Sequence, residues 1–171
     1  MKVGVIMGGT SSEKQVSIMT GKEMVAHLNK QKYDVVEIVL EDHQEVIEKV
    51  QGIDVALLAL HGKFGEDGTI QGVLETLGIP YTGSGLLASS LCMDKNMAKK
   101  ILRYEGIATP DWMHLVKGEE LPLQDIELMG YPLVVKPNAG GSSVGVQIVH
   151  DGNALLTAVA EVLEWENKII I

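Results

Sequence analysis

Cysteine, phenylalanine and arginine each occur once in this chain of 171 residues, as Cys92, Phe64 and Arg103. A lone cysteine closes no internal disulfide, and the five histidines (27, 43, 61, 114 and 150) are scattered without ligand spacing, so neither a disulfide frame nor a zinc site is readable. A single arginine among 14 basic side chains, set against 23 acidic ones and a net charge of -9, makes no broad surface for a phosphate backbone, and no nucleic acid partner is expected. Long apolar runs are missing too. The longest, residues 55–60, falls far short of the roughly 18 residues of a membrane span, and residues 3–7 are too few for a secretory signal core. No membrane partner is expected, and the cytoplasm is the default compartment. What the chain has in excess is glycine, with 19 residues against a usual share of about 7%. At 46% hydrophobic and 22% charged it is globular, with length for one large domain or two small ones.

The first half alternates strand-like and helix-like segments: a strand over 2–7, a helix over 13–29, a strand over 33–40, a helix over 43–50 and a strand over 54–60. That order predicts a parallel sheet wrapped by helices. Val3, Val5 and Ile6 and the run 55–60 read as strands buried on both faces, whereas Val16, Met19, Met24 and Leu28 recur at helical spacing. A helix over 69–77, a short strand over 79–81, an apolar segment over 86–91 and a helix over 95–105 with Asp94 as its N-cap follow. After Pro110 the pattern changes to strands over 112–116, 133–136 and 144–149, with helices near 123–129 and over 153–165. Two of these strands are joined by a tight glycine loop and are therefore expected to be antiparallel. A boundary near 93–96 separates an α/β half from an α+β half. The final run 168–171 reads as a strand start left with a bare edge, which suggests a cut from a longer protein.

Four loops carry chemistry. Gly8-Gly9-Thr10-Ser11-Ser12-Glu13 follows the first strand and opens a helix, where backbone N–H groups attract anions. Glu13 would repel phosphate, so the segment is no Walker loop and suits a cation such as an amine; by itself it reads as a helix cap. Gly83-Ser84-Gly85-Leu86-Leu87-Ala88 matches a dinucleotide fingerprint, but it does not follow the first strand, and Glu105 ends a helix rather than a strand. In Lys136-Pro137-Asn138-Ala139-Gly140-Gly141-Ser142-Ser143-Val144-Gly145 a lysine leaves an apolar strand before small residues able to close over phosphate oxygens, which favours an anion partner. His61, with Glu66 and Asp67 among three glycines at the C-terminal edge of the third parallel strand, stands where open α/β sheets bind ligands.

Five ordered motifs closely resemble the D-alanine:D-alanine ligase family. They are the loop 8–13 with Val16-Ser17, Leu60-His61-Gly62 with Gly65-Glu66-Asp67-Gly68, Tyr81-Thr82-Gly83-Ser84-Gly85, Met93-Asp94-Lys95, and Val135-Lys136-Pro137 with Gly141-Ser142-Ser143-Val144-Gly145. The resemblance covers the whole chain but only the front of the family's length. It implies a Rossmann-like parallel-sheet substrate domain over 1–94, then the first α+β lobe of an ATP-grasp domain over 95–171, truncated.

The resemblance places Lys95 and Lys136 on ATP phosphates and makes Ser142, Ser143, Val144 and Gly145 the loop that folds over them. Glu13 matches the acid that receives the ammonium of the first D-alanine, and His61 the histidine beside the substrate carboxylates. Ser142 matches a serine hydrogen-bonded to Glu13 and to a tyrosine on a later loop. Glu13, Ser142 and His61 are the catalytic residues so implied. The implied reaction phosphorylates one D-alanine carboxylate with ATP, and the amine of the second then displaces phosphate to give the dipeptide used in peptidoglycan. Two Mg2+ ions, replaceable by Mn2+, are implied; their ligands are expected beyond Ile171, so no metal ligand is assigned in this chain, which alone is expected to be inactive. A homodimer is also implied. The rival readings are another ATP-grasp carboxylate–amine ligase and a non-catalytic nucleotide-binding fragment.

Overall fold

The computed structural model describes residues 1–141 and 143–171, which form two compact units, Met1–Ser90 and Leu91–Ile171. The first unit is built on three parallel strands, β1 (Lys2–Gly8), β2 (Asp34–Leu40) and β3 (Val55–Leu58), in the order β2-β1-β3. Central β1 is buried from Val3 to Gly8 because its alternating side chains enter two separate apolar layers. Val5 and Met7 pack with Val25 and Ala59, whereas Ile6 packs with Ile38, Leu40 and Ala56. The expected strand over 79–81 is reduced to one parallel bridge, Ala56 to Tyr81, because Pro80 interrupts the ladder of donors.

Helix α1 (Lys14–His27) corrects the sequence pattern. Its apolar residues Val16 and Met19 are exposed, and the buried face is Ser17, Gly21 and Val25. Distance explains the choice. A Cβ on Gly21 would lie 2.7 Å from the Met7 side chain, and Ser17 Oγ accepts a 2.9 Å hydrogen bond from Gly8 N. The helix lies so close to β1 that small side chains, rather than the most apolar ones, fit between them. The expected helix over 43–50 is a 3-10 turn (His43–Glu45) running into the short α2 (Val46–Lys49), started by a reciprocal capping box between Asp42 and Glu45. Helices α3 (Thr69–Thr76) and α4 (Leu86–Met93) follow, the latter running across the division between the units.

The second unit begins with α5 (Lys95–Tyr104), which Asp94 caps as expected by accepting a 2.9 Å hydrogen bond from Met97 N. Then come β4 (His114–Val116), α6 (Leu123–Glu127), β5 (Leu133–Pro137), β6 (Gln147–Val149), α7 (Gly152–Trp165) and β7 (Lys168–Ile170). The sheet order is β4-β7-β5-β6, and each pairing is antiparallel. β7 is therefore no bare edge: it is paired on both sides, which explains why Ile169 and Ile170 are both buried. The expected strand over 144–149 is shortened to its last three residues, since Ser143 and Gly145 take left-handed conformations that bend the chain before pairing starts. Helix α7 covers one face of the sheet, packing Leu155, Ala158 and Val162 on Leu133, Val135 and Ile169. Val134 and Ile148, paired across β5 and β6, lie exposed on the other face. Among the described residues no helix is long and apolar enough to cross a membrane.

Candidate active site

In the first unit the site residues lie at the C-terminal edge of the parallel sheet, where β1 and β3 release their chains. Glycine is required at the first turn: Gly8 has φ +92°, and a Cβ there would lie 2.5 Å from the carbonyl oxygen of Leu40. Gly9 N then donates to that oxygen at 2.8 Å, so the loop is pinned to β2 before α1 begins. Ser11 joins this loop to the one after β3. Its hydroxyl accepts from Glu13 N at 3.2 Å and donates to His61 O at 2.9 Å.

Glu13 precedes α1 but makes no side-chain cap hydrogen bond, contrary to the simple reading of this loop as a cap. Its carboxylate reaches across to the neighbouring loop instead, where a Cβ on Gly62 would stand 2.8 Å from Glu13 Oε2. The His61 ring is partly buried, with Nε2 3.4 Å from Thr20 Oγ1 and Nδ1 3.7 Å from Glu66 Oε1. Glu66 also accepts from Gly62 N at 2.8 Å. A carboxylate, an imidazole and a second carboxylate thus line one loop pair, an arrangement suited to an ammonium and a carboxylate on one small molecule.

Asp67 serves the fold. It accepts from Phe64 N at 2.8 Å and Thr69 N at 3.0 Å. Burial alone would raise its pKa, but the Thr69 side chain, and then the Phe64 and Thr69 backbone bonds, together outweigh that and hold the carboxyl below its ordinary value. The bonds help keep Phe64 at φ +72°, a conformation that bulky residues avoid, and its ring stacks on His43 at 4.1 Å between centroids.

In the second unit the open face of the antiparallel sheet carries the other residues. Lys136, near the end of β5, is half-buried and points to the same face as Val134. Lys95, the first residue of α5, donates its ammonium to Gly140 O at 2.8 Å and Asn138 O at 3.3 Å. Burial, and next the charge of Lys136, lower the Lys95 pKa. Neither lysine has a salt bridge to a carboxylate among the described residues. Together with Val134, Gly140, Ser143 and Val146 they line a cavity of about 290 Å³. Ser143 and Val144 are exposed in a turn, and Gly145, at φ +71°, passes Pro137 too closely for easy replacement by a larger residue. Ser142 lies outside the described residues. Two ammonium groups with no salt-bridged acid among the described residues, beside backbone turns and an apolar floor of Val134 and Val146, suit the phosphates and base of a nucleotide. A divalent cation has no comparable set of ligands: among the described residues no group of three or more His, Cys, Asp or Glu side chains could hold one.

Sequence reading missed two residues that this geometry brings forward. Thr20 stands beside His61 because it lies two helical turns beyond Glu13 on α1, a spacing visible in the sequence only once the helix is placed. Asn138 is buried within the glycine loop, where composition alone predicts solvent.

Comparisons with known proteins agree with these motifs. The model for the D-ala D-ala ligase N-terminus matches residues 2–51 and 40–84, and the model for the D-ala D-ala ligase C-terminus matches residues 101–171. A D-alanine–D-alanine ligase of Bacillus anthracis is 61% identical over all 171 residues, which make up 56% of that protein. Two crystal structures of D-alanine–D-alanine ligase from the same organism superpose on 99% of the chain. The first, at 60% identity over 56% of its length, has a TM-score of 0.95; the second, complexed with ATP, is 58% identical over 57% of its length with a TM-score of 0.93. The chain thus spans little more than half the length of the curated relatives it matches, and in sequence motifs, family models and tertiary structure alike it belongs to the D-alanine–D-alanine ligase family.

Proposed function

We propose that this protein contributes the first D-alanine site and half of the nucleotide site to an ATP-dependent enzyme that joins two D-alanines for peptidoglycan synthesis. It would act in the cytoplasm as a homodimer, with residues 1–94 as the substrate domain and 95–171 as the first part of the ATP-grasp domain. The observation that carries this reading is the half-buried pair Lys95 and Lys136, two like charges facing one glycine-lined cavity with no salt bridge to an acid among the described residues. Desolvated like charges are costly unless an anion joins them, and a polyphosphate supplies several negative charges at the right chemistry.

ATP, when bound, supplies the phosphoryl group that converts the first D-alanine carboxylate into an acyl phosphate, which the second D-alanine's amine attacks with loss of phosphate. The chain's own residues bind and orient. Glu13 receives the ammonium of the first D-alanine, which holds its carboxylate at a fixed direction from the helix start. His61, oriented by Thr20 and Glu66, stands beside that carboxylate and helps position it beside phosphate. Lys95 and Lys136 neutralise phosphate oxygens, and the turn at Ser143, Val144 and Gly145, with Ser142, closes over them. Mg2+, with Mn2+ as a substitute, enters as the counter-ion of ATP; no described residue is assigned to it.

Lys136→Ala in the full-length ligase tests the reading. An ammonium about 4 Å from a phosphate charge is worth on the order of 4 kcal/mol at an effective dielectric near 20, before desolvation is subtracted. The expected result is a fall in kcat/KM for ATP of roughly two orders of magnitude, about 2.7 kcal/mol, with the melting temperature of the nucleotide-free protein nearly unchanged. A large loss of melting temperature with near-normal ATP kinetics would instead make Lys136 a structural residue.

A further inference from the structure

Asn138 is only 3% exposed, in a loop whose neighbours Ala139 and Gly140 are open to solvent. Its polar atoms are committed to two other elements. Asn138 N donates to Lys168 O on β7 at 2.9 Å. Its carbonyl accepts from Lys95 N at 3.1 Å, and its side-chain Oδ1 accepts from Asn96 N at 2.9 Å. The remaining side-chain group, the NH2, lies beside Asp94 and favours the charged form of its carboxyl. Three consecutive residues at the start of α5 are therefore tied to the residue that follows β5 by one place. A further layer supports the tie: Asn96, itself buried, accepts from Trp112 Nε1 at 3.0 Å, and the indole lies under Lys99 and Arg103.

These bonds act on the spacing of two cations. Lys95 opens α5 and Lys136 stands two residues before Asn138, so the carboxamide sets how far the helix start lies from the strand end. Like charges at half-buried positions repel, and repulsion would push the helix end away from the sheet. The carboxamide opposes that push with one acceptor and one donor used at once; alanine offers neither, and an ionised aspartate only accepts. The backbone amide of Asn96 would otherwise be left without a partner.

We propose that Asn138 is a positioning residue of the nucleotide site, fixing the gap between Lys95 and Lys136 so that both ammonium groups meet the same polyphosphate. The proposal rests on the nucleotide reading above and goes beyond it by assigning the geometry of the cation pair to a residue that need not touch ATP.

A double-mutant cycle in the full-length ligase tests it, with KM for ATP and for D-alanine measured separately at a temperature where every variant is folded. Asn138→Ala is expected to raise KM for ATP about tenfold while leaving KM for D-alanine within about twofold. On a Lys95→Ala background the same substitution is expected to add less than about twofold, because the residue it positions is gone. A residue that only stabilises the fold would give the same penalty on both backgrounds, or move both KM values together, and either result overturns the proposal. Where Asn138→Ala does not fold, Asn138→Asp replaces it in the cycle: it keeps the acceptor for Asn96 N and sets a second carboxylate against Asp94, and the same non-additivity with Lys95→Ala is expected. Should Lys95→Ala and Lys136→Ala both leave KM for ATP unchanged, the nucleotide reading itself fails. If those two variants weaken ATP and the Asn138 variants do not, only the positioning role fails.

Discussion

The two units present their candidate ligand groups in different ways, and the difference follows from their sheets. In Met1–Ser90 the parallel sheet is covered on both faces, so only its edge is available, and Glu13 and His61 are delivered there by loops leaving β1 and β3. In Leu91–Ile171 the antiparallel sheet is covered by α7 on one face, and Lys136 and Val134 lie on the open one. An edge site depends on backbone turns and therefore on glycine; a face site depends on strand register and on what holds the neighbouring helix. The first unit is accordingly sensitive to added atoms, the second to lost hydrogen bonds.

The largest effect that separates them is expected from Gly8→Ala. The new Cβ would meet the Leu40 carbonyl oxygen at 2.5 Å in a backbone conformation of φ +92°. Overpacking and left-handed strain together should cost about 3 kcal/mol or more, read from denaturant unfolding. Amide exchange should show faster opening of β1, β2 and β3 with β5, β6 and β7 still protected. Equal loss of protection in both sheets would break the comparison, since the two units would then unfold as one.

A smaller and purely functional effect is expected from Glu13→Gln in the full-length ligase. Losing the charge that we propose for the substrate ammonium should raise the D-alanine requirement at the first site about tenfold, or about 1.4 kcal/mol, and leave that for ATP within about twofold. An equal rise for ATP would mean that Glu13 only props the loop and that the edge site is drawn wrongly.

The smallest effect sharpens the account of the edge. Asp67 accepts two backbone hydrogen bonds, and Asp67→Asn should cost about 0.5–1 kcal/mol of stability at pH 7, in the range of a weakened side-chain hydrogen bond at a partly buried carboxylate. Because the folded-state pKa is depressed, the carboxylate's contribution is present above the unfolded value near 4 and is lost as pH falls through the folded one. The stability difference between Asp67→Asn and the parent should therefore shrink below about pH 4. A difference that stays constant down to pH 2 would show that charge plays no part in holding this loop.

Much of this arrangement was legible before any tertiary information. Strand runs, glycine turns and the Asp94 cap are local signals, because they depend on side-chain period and on backbone angles that few residues tolerate. The run at 55–60 indicated a doubly covered strand, and the tight loop after Lys136 indicated an antiparallel pair. The α1 face was misread for a physical reason: hydrophobic period ranks Val16 and Met19 above Ser17 and Gly21, yet the contact with β1 is decided by distance. The bare edge expected of the last strand was overturned for a similar one, since nothing local says that β7 is paired between β4 and β5.

By itself the sequence determined the order of the elements, the positions of the turns and, through motifs far apart in the chain, the family. These are properties of residue type and spacing. Only the tertiary structure decided that Glu13 reaches over Gly62 instead of capping its helix, that Lys95 donates its ammonium to the carbonyls of the glycine loop, and that Asn138 ties α5 to the end of β5. Each of those facts joins residues that are tens of positions apart, where the free energy depends on distance and desolvation rather than on any local preference of the chain.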